Sequence, residues 1–547
     1  MKKLEEEPET YDSKFTTLTK GVNLEVQNWI IEKVNTNDMV LEIGCGPGTL
    51  AKKLALEGNK VKAVDKNLEM VKYAIDNYPT EKDVDLLYQV GSFEDLEEDP
   101  ESYDAVVSTF MLSELNQLEQ QIFLRQIWKL LKPNGRLIIA AEFLPTGFWK
   151  FSFKLKRWWF RKKLHRLRLR ETYIVKHFLQ YLNPIGFEIS SEKSWRHGSI
   201  KVLEMKKIQV NENNEPGYYK PKPRNFKGIK SQFRIYRCIF TGQIDRVPIE
   251  PGLYEAGTPA EDSPILVTAN YEFTYIKVMR DLKDLNAWIL CVDSNGINVW
   301  CAARGNDFGN KQLLEVVNAT GIEKIANSKK LFLPQLSAGG ISIPQLPKEF
   351  PFKIVFGPVW SKDLKSFLEN RPMKKPDSMK LAKFSLFHRI RAGITHTTFL
   401  FRKIFFIPLV VLFCSFLILN QLENLWWIGE LILWIILSNM IIAIFFPLSY
   451  FTRTFIIKSI FYGILNLVVI SSISWIIHNS ITFLLLNSGI VFWISFFSTM
   501  SFSGYTMATN PREIQNEYPT FRKINLSLII VVIVLIGLNI LFFLNYL

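Results

Sequence analysis

The stretch GINVWCAARGNDFG, residues 296–309, holds one thiol, Cys301, between a tryptophan and two alanines, with no second cysteine at metal-ligand spacing. Asn298 is a fitting N-cap and Gly305 a fitting C-terminal stop for a single helical turn, VWCAAR. Cys301 then lies in the first turn, where the helix dipole favours a thiolate, a soft and electron-rich metal ligand. Taken alone, a cysteine beside Trp and Ala is more often simple core packing, so both readings stand at this point.

A second constellation lies near the start of the chain. DMVLEIGCGPGTLAKKLA, residues 38–55, reads as an apolar strand running through Gly44, Gly46 and Gly48 into a helix. Glycines there permit a tight turn and a close approach of ligand to backbone amides. About twenty residues on, Asp65 ends the strand-like KVKAVD, where a carboxylate can hold both hydroxyls of a ribose. These residues describe a pocket for a nucleoside.

The elements around these residues fall into blocks. Residues 25–140 alternate helical and strand patterns, as a parallel α/β sheet requires. NENNEPGYYKPKPRN, residues 211–225, is polar and proline-rich and reads as a linker. Beyond it SPILVTANYEFT, AWILCVD, GINVW, KKLFLPQL and FKIVFGPV are strand-like, with a helical NKQLLEVVNATG among them, which predicts a second α/β domain. The last 150 or so residues are Leu, Ile, Phe and Trp broken by short polar gaps. The expected organisation is 1–208, a linker at 209–226, 227–395, and a membrane domain at 396–547.

Five apolar runs, about 404–420, 425–448, 455–477, 481–500 and 526–547, each approach the ~20 residues that cross a bilayer as a helix. Arg389, Arg391, Arg402 and Lys403 precede the first, Arg453 and Lys458 flank the second turn, and Arg512, Arg522 and Lys523 lie in the fourth. The turns NQLEN and HNS contain no Lys or Arg, so the expectation is a multi-pass protein of the cell membrane, soluble domains on the cytoplasmic side and Leu547 outside. The opening MKKLEEEPET lacks the apolar core of a signal peptide, which fits that orientation. Glu430, near the start of the second run, is expected to snorkel to the interface, and with no further interior acid a proton-driven pump is not supported.

Composition narrows the function classes. Five cysteines without any CxxC argue against a disulfide scaffold, a zinc ribbon or a protein-borne iron–sulfur cluster. The net charge of +14 is concentrated in KFSFKLKRWWFRKKLHRLRLR, residues 150–170, with ten Lys or Arg and no acid. Interleaved Trp, Phe and Leu allow this segment to lie on anionic membrane lipid, or to be a solvated helix beside a substrate pocket. No recognition motif accompanies it, so no nucleic-acid partner is expected.

Two resemblances sharpen these readings. The GxGxG turn with Glu42 before it, followed by GSFEDL and YDAVVSTFMLSELN…LKPNGRLIIA, resembles the class I S-adenosylmethionine (SAM) methyltransferases over residues 20–208. This implies that Glu42, Gly44, Gly46 and Gly48 cradle the methionine end, Asp65 the ribose, and Ser92 with Phe93 the adenine. The family often has an acidic residue where Ser92 stands. No general base is evident, and the methyl sulfonium is reactive enough that an in-line nucleophile can suffice.

The segments DSPILVTANYEFTY, AWILCVDSNGINVWCAARGNDFG, KLFLPQLSAGG and FKIVFGPVWSKDL, followed by the apolar runs and SFSGYTMATNPREIQNEYP, resemble the HgcA family, the corrinoid protein of mercury methylation, over residues 227–547. The resemblance implies a Rossmann-like corrinoid-binding domain between a Rossmann-like methyltransferase domain and an all-α five-helix transmembrane domain. It implies that Cys301 ligates the cobalt of a corrinoid (cobalamin) from below, with Asn298, Val299, Trp300, Ala302 and Ala303 packing on the macrocycle. Arg304-Gly305-Asn306-Asp307 departs from the Gly-Lys that typically follows the two small residues.

The implied function is membrane-bound methyl transfer to Hg(II) or a related soft metal or metalloid through methyl-Co(III), with SAM as methyl donor on the same chain. An HgcB-type ferredoxin or another low-potential reductase is the implied partner. The alternatives are a corrinoid methyl carrier for arsenic or a one-carbon pathway, a membrane-anchored SAM methyltransferase of a lipid or quinone, and a cobalamin-binding sensor without turnover.

Overall fold

The computed structural model describes residues 7–78, 84–145, 147–166, 174–210, 215–222, 246–283, 285–370, 375–401 except 381 and 383, 426–478, 481–505 and 511–545, with scattered residues in 233–238 and 404–414. The chain divides into two compact units. The first is Met1–Pro221 with Pro251–Leu253 and Leu314–Ile325; the second is Lys222–Glu250, Tyr254–Leu313 and Ala326–Leu547.

The first unit is built on seven strands: β1 (Met39–Ile43), β2 (Lys60–Asp65), β3 (Leu86–Val90), β4 (Tyr103–Thr109), β5 (Leu131–Glu142), β6 (Phe187–Trp195) and β7 (Ile200–Lys207). Their order is β3-β2-β1-β4-β5-β7-β6. The first five run parallel and β7 lies antiparallel between β5 and β6. Alternate residues bury on opposite faces, Leu41 and Ile43 on one and Val40 on the other, and likewise Leu137 and Ile139 against Ile138 and Ala140. Both faces are therefore covered, as apolar parallel strands demand. The chain order reverses beside β1, which pairs with β2 on one side and β4 on the other, so the crevice at the carboxyl ends of these strands is the natural ligand position. Helix Gln117–Leu130 is fixed at its start by a capping box in which Asn116 and Glu119 exchange hydrogen bonds.

Apart from the first two residues of β8, the second unit holds a five-stranded sheet: β8 (Gly252–Ala256), β9 (Ile265–Ala269), β10 (Ala287–Val292), β11 (Lys330–Leu333) and β12 (Lys353–Phe356), in the order β12-β11-β9-β10-β8. β9 pairs in parallel with β10 on one side and β11 on the other. Ile265–Ala269 and Ala287–Val292 are buried at every position, which explains why they read as unbroken apolar runs.

Among the described residues, three helices are long and apolar enough to span a membrane, with windows Ile428–Ser449, Phe455–His478 and Asn516–Leu535. The 22-residue window covers roughly 33 Å, against ~30 Å of hydrocarbon. The expected run at 404–420 lies mostly outside the described residues. The run at 481–500 forms helix Ile481–Tyr505, and the last becomes one helix, Pro511–Asn545, whose apolar window starts earlier than the 526 expected.

Glu430 does not snorkel. Its carboxylate turns to a neighbouring helix, where His478 Nε2 lies 2.9 Å from both oxygens. Trp434 Nε1 donates at 2.9 Å and Asn487 Nδ2 at 3.3 Å. Two polar partners on neighbouring helices, His478 and Asn487, and Trp434 one turn along its own helix offer more than lipid headgroups at the cost of side-chain stretching, which is why the inward rotamer wins.

Candidate functional sites

At the carboxyl end of β1 the chain turns through Gly44, Gly46 and Gly48, all at positive φ (78°, 53° and 82°). At Gly44 a Cβ would lie 2.8 Å from that of Met111, and at Gly48 one would lie 2.7 Å from the Tyr88 hydroxyl. Glycine is required there both by backbone conformation and by space. Asp65, ending β2, ties the turn: its Oδ2 accepts from the Gly46 amide at 2.8 Å and its Oδ1 from the Asn67 amide at 2.8 Å. A cavity of about 310 Å³ opens here, and Gly44, Gly46, Asp65, Ser92 and Phe93 all line it. Ser92 caps the short turn Phe93–Asp95, and the Phe93 ring is edge-on to Phe123 at 5.4 Å, within the core.

Glu42 lines a smaller adjoining cavity of about 50 Å³, with Gly44, Gly46, Asp12 and Thr49. The carboxyl is buried, and its Oε2 has no hydrogen-bond partner among the described residues. Burial first, and the charge of Asp65 second, push it up to about 8. An orphaned carboxyl oxygen beside a glycine cradle suits a cationic ligand group, which the ammonium of SAM provides. Gly48 lines neither cavity as described; it caps helix Thr49–Leu56 and so positions the turn.

The first unit also supplies residues that the motifs did not identify. Phe110 holds a left-handed conformation (φ 59°), unusual outside glycine, and lines both cavities. Phe15 meets it edge-on at 5.0 Å and stacks on Tyr11 at 5.7 Å, both from helix Pro8–Thr19. Asp12 of the same helix hydrogen-bonds the Thr49 hydroxyl. Aromatic side chains from a helix ahead of the Gly-rich motif therefore wall the smaller cavity beside Glu42. The only sequence signal was the spacing of Tyr11, Asp12 and Phe15 along one helical face.

In the second unit, the loop after β10 leads to helix Val299–Gly305, which carries Cys301. Asn298 caps it as expected: its Oδ1 accepts from the Cys301 amide at 3.0 Å, and its Nδ2 lies 3.4 Å from the Cys301 sulfur. The C-terminal stop is Asn306 (φ 68°) rather than Gly305, because the amides of Asp307 and Phe308 both turn back to the Ala302 carbonyl. Cys301 is partly exposed, whereas Val299, Trp300, Ala302 and Ala303 are buried in the domain. Those four thus hold the helix to the sheet and leave the thiol as the accessible group, with Asn298 beside it.

Asn270, buried just after β9, organises the same loop. Its Oδ1 accepts from the Ser294 amide and hydroxyl at 2.9 Å each and from the Gly296 amide at 3.0 Å, and its Nδ2 donates to the Ile249 carbonyl and to Asp293. At Gly340 a Cβ would fall 2.1 Å from the Phe308 carbonyl oxygen, so the PQLSAGG loop rests directly on the backbone around the Cys301 helix. The thiols of Cys45 and Cys291, by contrast, are buried and pushed upward by desolvation. The partly exposed Cys301 offers a soft donor of the type a corrinoid cobalt accepts from a protein.

Comparisons with known proteins divide along the same line. Residues 40–135 match the family described as Methyltransferase domain, and residues 228–342 match CO dehydrogenase/acetyl-CoA synthase delta subunit. The chain therefore carries a SAM-dependent methyltransferase domain, followed by a domain similar to that second family. The acetyl-CoA decarbonylase/synthase complex subunit gamma of Methanopyrus kandleri is 36% identical over 104 residues, covering 19% of this chain and 22% of the relative. The corresponding subunit of Archaeoglobus fulgidus is 32% identical over 143 residues, covering 25% and 29%. The chain thus spans less than a third of the length of these curated relatives. Among solved structures, a SAM-dependent methyltransferase of Methanosarcina mazei aligns at 20% identity and TM-score 0.28, covering 33% of this chain and 96% of that one. Magnesium protoporphyrin IX methyltransferase of Synechocystis PCC 6803 aligns at 22% and 0.27, covering 34% and 80%.

Proposed function

We propose that this protein is a membrane-bound, corrinoid-dependent methyltransferase of the HgcA type that draws its methyl group from SAM and delivers it to Hg(II) or a related soft metal or metalloid. The observation that carries the reading is the presence on one chain of a cavity of about 310 Å³ at a Gly-rich turn and a partly exposed, N-capped cysteine in a domain similar to acetyl-CoA synthase subunits.

The residues divide the work. Glu42, with Gly44, Gly46 and Gly48, would receive the methionine end and Asp65 the ribose, while Tyr11, Phe15 and Phe110 exclude water from the sulfonium. Ser92 and Phe93 would border the adenine. Cys301 would donate its sulfur to the cobalt, and Asn298 would orient that sulfur through its amide. SAM gives up methyl without its bonding electrons whereas a soft cation such as Hg(II) must receive it with them, and a corrinoid cobalt supplies that inversion. Two electrons must enter for each methyl moved in this way. No CxxC is present to hold an iron–sulfur cluster, so a ferredoxin of the HgcB type or another low-potential reductase is the proposed partner. Tethering donor and carrier sites on one chain raises their effective concentration to about the millimolar range. The distribution of Lys and Arg around the apolar runs supports soluble units on the cytoplasmic side.

The names of the curated relatives favour a second reading, in which the methyl goes to a one-carbon pathway rather than to a metal. Purified protein supplied with methyl-labelled SAM, cobalamin, a low-potential reductant and either Hg(II), As(III) or cofactor thiols separates the two. Labelled methylmercury is the expected product. Label appearing only in methylated thiol or arsenic would refute mercury as acceptor, and label in lipid or quinone alone would refute the corrinoid route.

A further inference from the structure

The first unit carries an exposed surface that the methyl-transfer reading does not use. Helix Trp149–Arg166 follows the end of β5 and opens the segment with ten basic residues and no acid. Its start is pinned to the unit at two points. Arg157 pairs with Glu142 at 2.5 Å, and the Trp149 ring stacks on His197 at 4.0 Å with 5° between planes. Between and ahead of these anchors one stripe of apolar side chains faces water: Phe148 is 80% and Phe151 70% exposed, and Leu155 is also exposed. Positions 148, 151 and 155 keep the i, i+3, i+7 spacing of one helical stripe. Lys150, Lys154 and Lys156 are exposed alongside them.

Two phenylalanines and a leucine held open beside lysines are costly for a surface that meets only water. Such a patch marks a docking site, and its mixture of rings and cations narrows the partner. Rings need an apolar layer to enter, and the cations need fixed negative charge at the edge of that layer. The interface of an anionic bilayer offers both within a few ångströms. The same chain contains helices able to span a bilayer, so that surface is always within its reach.

We propose that residues 148–157 dock the methyltransferase unit on the anionic leaflet of the membrane, Phe148, Phe151 and Leu155 entering the headgroup boundary and the lysines pairing with lipid phosphates. Docking of this kind is weak alone and stable when a second anchor is present, which the apolar helices supply. It holds the donor unit near the membrane whether or not its methyl group goes to a corrinoid.

The test uses full-length protein carrying Phe151→p-benzoylphenylalanine, with Phe148→p-benzoylphenylalanine as a second probe position. Each is reconstituted in nanodiscs of phosphatidylcholine alone or mixed with phosphatidylglycerol, irradiated, and read by mass spectrometry of the labelled peptide. A lipid adduct is expected in the mixed discs, much less in the neutral ones. Lys150→Gln, Lys154→Gln and Lys156→Gln should each lower the adduct by about fivefold, the change that ~1 kcal/mol per basic residue near an anionic leaflet corresponds to. SAM binding should stay unchanged in these variants, which checks the fold. Equal adducts in both lipids would overturn the charge pairing. Adducts confined to the chain's own peptides would overturn lipid docking altogether.

Discussion

Replacing Glu42 by glutamine isolates the most perturbed carboxyl of the SAM site. Glu42 is buried, with one oxygen unpartnered among the described residues and its pKa raised to about 8 by burial and then by Asp65. At pH 7 roughly nine in ten empty sites therefore hold a proton. Pairing with the SAM ammonium needs the carboxylate, so binding must expel that proton. The cost is about 1.4 kcal/mol at pH 7 and about 2.7 kcal/mol at pH 6. SAM affinity in the wild type should then rise roughly tenfold per pH unit toward pH 8, where the ligand's own amine begins to lose its proton. Calorimetry in two buffers of different ionisation enthalpy would detect close to one proton released per SAM at pH 7. Glu42→Gln should release none and lose the rise below pH 8. The same shift has a stability consequence. The folded-state value lies above the unfolded 4.5, so the empty unit loses stability as pH climbs from 4.5 through 8, and the glutamine variant should not. Wild-type affinity that is equal at pH 6 and pH 8, or a glutamine variant that keeps the wild-type profile, would refute the argument.

Three further expectations follow from the geometry. Asp65→Ala removes both the proposed ribose acceptor and the tie to Gly46, and should weaken SAM binding by about tenfold to a hundredfold, measured by the same calorimetry. Asn270→Ala strands the amides of Ser294 and Gly296 and should destabilise the Cys301 loop by about 2–5 kcal/mol, read as faster hydrogen exchange at 293–306 with exchange in β1–β5 unchanged. Glu430→Ala and His478→Ala should each lower the melting temperature in detergent, with a double-mutant coupling of about 0.5–2 kcal/mol; a coupling near zero would contradict their pairing.

What could be seen in the sequence was what local rules control. The Gly-rich turn and Asp65 were legible because positive φ and strand-end position leave few other choices of residue, and Asn298 was legible because an N-cap acts within three residues. The C-terminal stop was misplaced by one, since Asn306 tolerates the left-handed conformation nearly as well as glycine. Contacts between distant segments were not legible. Phe15 meets Phe110 across 95 residues of chain, and Glu430 meets His478 across 48. Nothing in the spacing of VWCAA distinguishes side chains that pack inward from side chains that await a ligand, and four of those five are buried. Asn270 reads as an ordinary polar residue after a strand, because its role depends on a loop more than twenty residues away.

The most direct test of the central claim is the absorption spectrum of full-length protein reconstituted with cobalamin and reduced, recorded before and after SAM, beside Cys301→Ala. The account predicts that the band of reduced cobalt gives way on SAM addition in the wild type, and that Cys301→Ala alters the spectrum of the bound cofactor and loses onward transfer. A bound corrinoid that is indifferent to SAM, or a Cys301→Ala protein with the wild-type spectrum and full transfer, would contradict it.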